Sequence, residues 1–358
     1  MSDKTFWVFS WCKQLGISDQ LPEWFYATLA LICTYCFVIV PCGSVMAYLE
    51  RKFTADLQAR VGPNRAGPKG VLQPFADLLK LLQKGADLEW SWRDSVWLSV
   101  HSMAMYSTLA VLPLGSVALL VDSEMNAFLP FWSALVLALG TMLLGLGQGS
   151  IPGWFGGIRI AAQTLAGCFP SFIALLCAGV RTGEFRWSAL AASQGFFPLS
   201  WAVFSNPFQF IAFFIFVMSG LVFLAIPPLD GGMSMSDIHG GVASHLFGRR
   251  LSLFRLGRFY GFFLWSVISV VLFLGAWRLP EGLTQLLKES DAIGLLAFLE
   301  LLVLLAKTFI LMLIIIIAAR VNTRGRVDQI TGFAWKVLSP FALFALVGAS
   351  LWAGWRAL

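Results

Sequence analysis

The chain has 358 residues, a formal net charge of +6, 58% hydrophobic side chains and only 12% charged ones. A soluble domain carries roughly 25% charged residues. A water-soluble enzyme and a disordered chain are both excluded, because so few charges cannot cover a globule of this size or keep a chain unfolded.

A membrane-spanning helix needs roughly 20 mostly apolar residues. Eight segments qualify, at Trp24–Tyr48, Val96–Val121, Phe131–Gly149, Ile160–Val180, Phe208–Ile226, Phe259–Trp277, Ile293–Ala319 and Val337–Trp355. The alternation of a β-barrel is absent, and helices satisfy their own backbone groups in lipid. The expected fold is an all-α polytopic membrane bundle forming one integral membrane domain over residues 1–358. The loops after spans one, three, five and seven hold 17 of the 25 Lys and Arg residues, against seven on the opposite side. That bias predicts those loops in the cytoplasm and both termini outside. The polar, poorly basic start reads as an uncleaved N-terminus. The main cytoplasmic loops are expected at 50–94, 227–258 and 320–336.

The six cysteines, at 12, 33, 36, 42, 168 and 177, fall mainly in apolar runs. Cys33 and Cys36 form a C-x-x-C with no second pair, so they read as small buried residues rather than a metal or cluster site. The chain has no nucleotide or flavin fingerprint. Its basic residues follow the loop topology and do not signal nucleic acid. Of the 19 acidic residues, only Glu300 sits well inside a span, with Lys307 two turns later on the same face. Both are candidates for a polar contact or a proton relay.

The first loop is the most informative. It opens Glu50-Arg51-Lys52 and continues Arg60-Val61-Gly62-Pro63-Asn64-Arg65-Ala66-Gly67-Pro68, a density of Gly and Pro that dictates a sharp turn. Val71, Leu72, Phe75, Leu78, Leu79 and Leu82 then recur at helical spacing, with Asp77, Lys80 and Lys84 towards the other face. This predicts an amphipathic helix on the membrane surface or on a partner, with a local Asp77–Lys80 pair.

The combination R-x-G-P-N-x-x-G and L-Q-P-x-A-D-x-x-K resembles the first loop of one membrane component of NADH–quinone oxidoreductase, respiratory complex I. That component is the H subunit of the bacterial enzyme, known in mitochondria as NADH dehydrogenase subunit 1. Ala162-Gln163-Thr164, Leu272-Phe273-Leu274-Gly275-Ala276-Trp277, Lys307-Thr308, Arg326-Val327-Asp328-Gln329 and Trp335-Lys336-Val337-Leu338 are similar to further segments of that family, in the same order. The resemblance implies a protein that joins hydrophilic redox-arm subunits to the membrane arm and lines a quinone chamber. Quinone is then the substrate, and NADH, flavin and iron–sulfur clusters belong to partner subunits. It implies quinone-binding positions at Glu50, Arg51, Arg60 and Asp77, and coupling positions at Asp230, Asp237, Glu300 and Lys307. A bacterial cytoplasmic membrane is the expected location.

Against the family's pattern, Cys168 stands where a glutamate is expected, and Pro170 follows. The third cytoplasmic loop has Phe223-Leu224-Ala225-Ile226-Pro227-Pro228-Leu229-Asp230, then Met233 and Met235, where the family carries several acids; Asp230 and Asp237 are remnants of that cluster. Altered proton coupling follows as an expectation. The alternatives are a diverged paralogue in a related hydrogenase or dehydrogenase complex, and a secondary transporter.

Overall fold

The computed structural model describes residues 40–84, 126–147, 150–226, 228–231, 241–243, 248–289, 293–323 and 325–357, with positions 96, 99, 100, 115, 124 and 246. Every regular element among them is helical. The order is α1 Val40–Leu57, α2 Gln73–Gln83, α3 Leu129–Gly147, α4 Ile151–Val180, α5 Trp187–Ala192, α6 Ala202–Ser205, α7 Pro207–Phe223, α8 Gly248–Phe273, α9 Glu281–Glu289, α10 Ile293–Val321, α11 Val327–Phe333 and α12 Ser339–Ala357.

Five helical stretches are long and apolar enough to cross a bilayer: Asn126–Gly147, Ile151–Val180, Gly248–Phe273, Gly294–Val321 and Val327–Arg356. The 17-residue α7 is a shorter apolar helix beside them. With the family findings given below, they make the chain an integral membrane protein with an all-α polytopic fold. Most of predicted span one and nearly all of span two lie outside the described residues, as does Asp237.

Polar caps set two of the starts. The Ser150 hydroxyl accepts from the Gly153 N–H at 3.2 Å, and the Asn206 amide oxygen accepts from Gln209 N–H at 2.6 Å. Each satisfies a backbone donor that the first helical turn leaves open. Two helices run further than hydropathy alone indicates. α4 begins at Ile151, nine residues before predicted span four, and α8 begins at Gly248, eleven before span six. Arg249, Arg250, Arg255 and Arg258 therefore sit on a helix that continues past its apolar core. α4 also runs through Pro170, which lacks an N–H to donate; the following Ser171 hydroxyl donates to the carbonyls of Gly167 and Cys168 at 2.8 and 2.9 Å.

Helix α4 packs against α3, α7 and α12, and α8 packs against α10, α1 and α2; α7 joins the two groups. Aromatic stacking fills the seam. Phe216 lies parallel to Trp265 with ring centroids 4.6 Å apart, and the Trp265 indole N–H donates to the Phe216 carbonyl. A β-carbon on Gly220 would fall 1.7 Å from the Trp265 ring nitrogen, so only glycine lets the ring lie on the helix backbone. On the outside, Ile310, Ile314, Phe344, Val347 and Leu351 are exposed, as expected of side chains that face lipid.

Candidate functional site

The arginine-rich end of the bundle is organised by the first loop. Its turn depends on Gly70, at φ +82°, where a β-carbon would fall 2.2 Å from the Pro63 carbonyl oxygen. The Tyr48 hydroxyl ties the loop back to α1 by donating to the Lys69 carbonyl at 3.0 Å. α2 then forms as expected, with Leu72, Phe75, Leu79 and Leu82 exposed along one side. The Arg249 guanidinium donates to the Leu82 carbonyl at 3.2 Å and pins α2 to the start of α8.

Asp77 takes a different partner from the one expected. Its salt bridge is to Arg51 on α1, not to Lys80, and the Gln73 amide donates to its other oxygen at 3.0 Å. Partial burial pushes its carboxyl pKa up, but the hydrogen bonds from Arg51 and Gln73, with the charges of Arg51 and Lys80, outweigh this and hold it below the ordinary 3.8. The bond thus clips α2 to α1.

The residue before Arg51, Glu50, forms a salt bridge with Arg320 at the end of α10. The two side chains retain 24% and 25% of their exposure. This pair closes one side of a cavity of about 410 Å³. Arg51, Thr54 and Arg60 from α1 and its following turn line it, as does Asp230. Arg255 and Arg258 enter from α8, and Phe259, Phe262, Ile315, Ile316 and Ala319 form an apolar floor. Of the expected quinone-binding positions, Glu50, Arg51 and Arg60 line this cavity, and Asp77 supports it through Arg51.

Asp230 is 5% exposed and reaches the cavity from the connection after α7. That connection turns sharply at Ala225, whose φ is +49°. The Arg258 guanidinium donates to the Ala225 carbonyl at 3.1 Å. The fully buried Gln163 of α4 donates to the carbonyls of Val222 and Leu229, fixing both ends of the turn. Gly325 N–H donates to the Pro228 carbonyl at 3.1 Å, which brings the loop after α10 against it. Cys168, half-buried, precedes Phe169, which stacks on Trp335 at 5.2 Å. Residues Ala334–Leu338 form a π-helical turn, a feature often found where a helix serves a site.

Glu300 and Lys307 do not join the cavity. Glu300 is buried, and a β-carbon on Gly115 would lie 3.1 Å from its carboxylate. The Lys307 ammonium donates to the carbonyls of Gly275 and Ala276 at 3.2 and 3.1 Å and lies 4.9 Å from the centre of the Trp201 ring. It holds the far end of α8. Gln194 completes that junction, donating to the Val271 carbonyl and accepting from Gly275 N–H at 2.7 Å.

Sequence reasoning did not single out Arg255, Arg258 or Arg320 as site residues. Their spacing from Glu50 along the chain carries no sign of the contact; the only signal was their clustering at one end of two spans. Gln163 was noticed as part of a motif, without its role as the anchor of the turn. No group of three or more potential metal ligands occurs among the described residues.

The architecture is that of a polytopic membrane protein with an ion-paired, apolar-floored chamber at one end. Comparison with known proteins gives the particular family. A family model described as NADH dehydrogenase matches residues 29–350. The chain is 29% identical over 341 residues to the H subunit of NADH-quinone oxidoreductase from Anaeromyxobacter dehalogenans (strain 2CP-C), covering 90% of this chain and 82% of that one. It is 28% identical over 343 residues to the same subunit from Chlorobaculum parvum and from Chlorobaculum tepidum, covering 92% of this chain and 93% of each of theirs. The chain belongs to the NADH dehydrogenase subunit 1 family of respiratory complex I, which includes these bacterial relatives.

Proposed function

We propose that this chain is the membrane subunit of a complex-I-like NADH–quinone oxidoreductase, which docks the hydrophilic redox arm and lines the quinone chamber. One observation carries the reading. Glu50, Arg51 and Arg60, distinctive residues of the first-loop motif, meet Asp230 and Arg320 around a single cavity with an apolar floor. A quinone requires such a combination, with polar groups for its head and an apolar slot for its tail. NADH, flavin and iron–sulfur clusters belong to partner subunits in this reading, and electrons reach the quinone from them. The exposed apolar face of α2 lies on lipid or on a redox-arm partner. The arginine-rich end faces the cytoplasm of a bacterial cell and both termini lie outside, in accordance with the loop charges.

Proton coupling is altered in this reading. Cys168 occupies the position of a family glutamate, and Met233 and Met235 stand where acids are expected. Asp230, Asp237 and Glu300 are the carboxylates left for the task. The reading is tested with a photoreactive quinone on the intact complex in its own membrane. Labelling is expected on the peptides around Glu50–Arg60 and Phe259–Phe262, and excess quinone should suppress it. Intact assembly without labelling of either peptide would favour the second reading, a structural paralogue in a related dehydrogenase or hydrogenase complex. The replaced acids are the observation that supports that alternative.

A further inference from the structure

We propose that the turn at residues 196–199, with Phe204 after it, is seated in the bilayer leaflet opposite the chamber, its apolar side chains among lipid acyl chains rather than in water. Phe197 is 71% exposed and Leu199 87%, and Phe196 and Phe204 are exposed as well. In water such a cluster invites association. No charged residue occurs from position 187 to 229, a run that includes the turn and all of α7. The inference needs only the helical bundle, so it stands or falls apart from the ligand of the chamber.

Three helices fix the depth of the turn. The Lys307 ammonium lies 4.9 Å from the centre of the Trp201 ring, and the Trp201 indole N–H donates to the Phe196 carbonyl at 3.2 Å. Lys307 is thirteen residues from Arg320 at the chamber end of α10, about 20 Å along the axis. Its extended side chain adds at most about 6 Å. Along α8, the distance from Arg258 in the chamber to the helix end at Phe273 is about 23 Å. A β-carbon on Gly275, just past that end, would fall 2.5 Å from the Trp201 ring, so α8 meets the turn directly. The whole of α7, which starts just after the turn, is about 26 Å long. All three measures stop short of the roughly 30 Å of bilayer hydrocarbon, and helix tilt shortens them further. The turn therefore lies at the boundary of acyl chains and headgroups. Many of its polar groups are tied inward, as that setting requires. The buried Gln194 side chain accepts from Ala202 N–H at 3.3 Å, and Ser200 and Trp201 N–H donate to the carbonyls of Phe197 and Pro198. On the outside, ring contacts run from Phe204 to Phe210 and on to Phe214, with centroids 6.4 and 4.9 Å apart. Phe210, Phe214 and Met218 are exposed one turn apart, so the turn continues the exposed apolar stripe of α7. The lack of any charge along this surface suits acyl chains better than the polar rim of a protein interface.

The test reads depth in the intact complex, reconstituted in phosphatidylcholine nanodiscs with the native cysteines replaced. Phe197→Cys carries a nitroxide spin label. Phe214→Cys on the stripe of α7 and Glu184→Cys on the exposed turn after α4 carry the same label, as references for lipid and for water. Molecular oxygen concentrates among acyl chains, whereas a water-soluble nickel chelate is excluded from them. The label at 197 should behave as the label at 214 does, with an oxygen-to-chelate ratio several-fold above that at 184. Chelate access equal to that at 184 would place the turn in water and overturn the inference. Exclusion of both reagents would mean that a neighbouring subunit covers the turn, which overturns it equally. If these variants fail to assemble, the unaltered complex is irradiated in phosphatidylcholine that carries a diazirine at mid-chain. Peptides containing residues 196–204 and 210–218 should then be labelled to a similar extent, and no label on the first would overturn the inference.

Discussion

The Glu50–Arg320 bridge joins two helices 270 positions apart in sequence, and its energetic weight follows from its burial. Exposed ion pairs contribute roughly 0.2–1 kcal/mol. Removing one member of a fully buried pair costs about 3–5 kcal/mol, because the other charge is left without compensation. Glu50 and Arg320 are about three-quarters buried, so each single replacement, Glu50→Gln or Arg320→Met, should cost about 2 kcal/mol. The double variant removes both charges together and should also cost about 2 kcal/mol, giving a coupling energy of similar size. The measurement is a denaturation series in mixed micelles, followed by thiol labelling of Cys177 with the other cysteines replaced. Cys177 is fully buried where α4 meets α12, so it reports opening of the bundle. If the two single effects add to within about 0.5 kcal/mol, the pair is not an energetic unit and the argument from burial fails.

Lys307→Met should destabilise the bundle by about 2 kcal/mol in the same assay, since the carbonyls of Gly275 and Ala276 lose a charged donor; an effect confined to activity would refute a holding role. Gly220→Ala should sharply reduce the folded yield in membranes, because the added carbon overlaps the Trp265 ring, and wild-type yield would show that the two helices separate freely. The lowered pKa of Asp77 means that its contribution is complete above the ordinary carboxylate value and is lost as pH falls through the still lower folded value. Hydrogen exchange over residues 73–83, corrected for intrinsic rate, should therefore stay constant from neutral pH down to about 5 and rise at every pH in Asp77→Asn. Cys168→Glu should change the number of protons taken up per quinone reduced in proteoliposomes if the missing carboxylate limits coupling; an unchanged ratio with the variant assembled would sink that explanation.

Hydropathy located helices well where the apolar run and the helix coincide, as at α10, whose predicted start at Ile293 is also the observed one. It fell short where a helix leaves the bilayer. Arg249, Arg255 and Arg258 lower the local hydropathy, yet all three remain helical because α2, α1 and the turn at Ala225 supply them with packing and acceptors. The first-loop motif brought out Glu50, Arg51, Arg60 and Asp77, but not who pairs with whom. Spacing along one helix indicated Asp77 with Lys80 and associated Glu300 with Lys307. The tertiary fold instead offered Asp77 an arginine on α1, and offered Lys307 two carbonyls at the end of α8. Gln163 and Gln194 illustrate the same limit: an amide in an apolar run signals a buried hydrogen bond, while its acceptors include backbone carbonyls 59 to 78 positions away.

The distribution of polar groups along α10 constrains how the chamber and Glu300 can communicate. Arg320 marks the chamber end, and Glu300 lies twenty residues earlier, about 30 Å along the axis. Between them the helix offers Lys307 and Thr308. The ammonium of Lys307 is committed to the Gly275 and Ala276 carbonyls, and the Thr308 hydroxyl donates to the Leu304 carbonyl of its own helix. From Phe309 to Ala319 every side chain is apolar, a stretch of about 16 Å. A proton cannot step along that surface. Any route from the chamber towards Glu300 must therefore leave this face of α10; among the described residues, buried Ser266 and Ser269 of α8 and Ser219 of α7 are already engaged with carbonyls of their own helices. In the proposed function, coupling between quinone chemistry and Glu300 therefore does not pass along the surface of α10 itself.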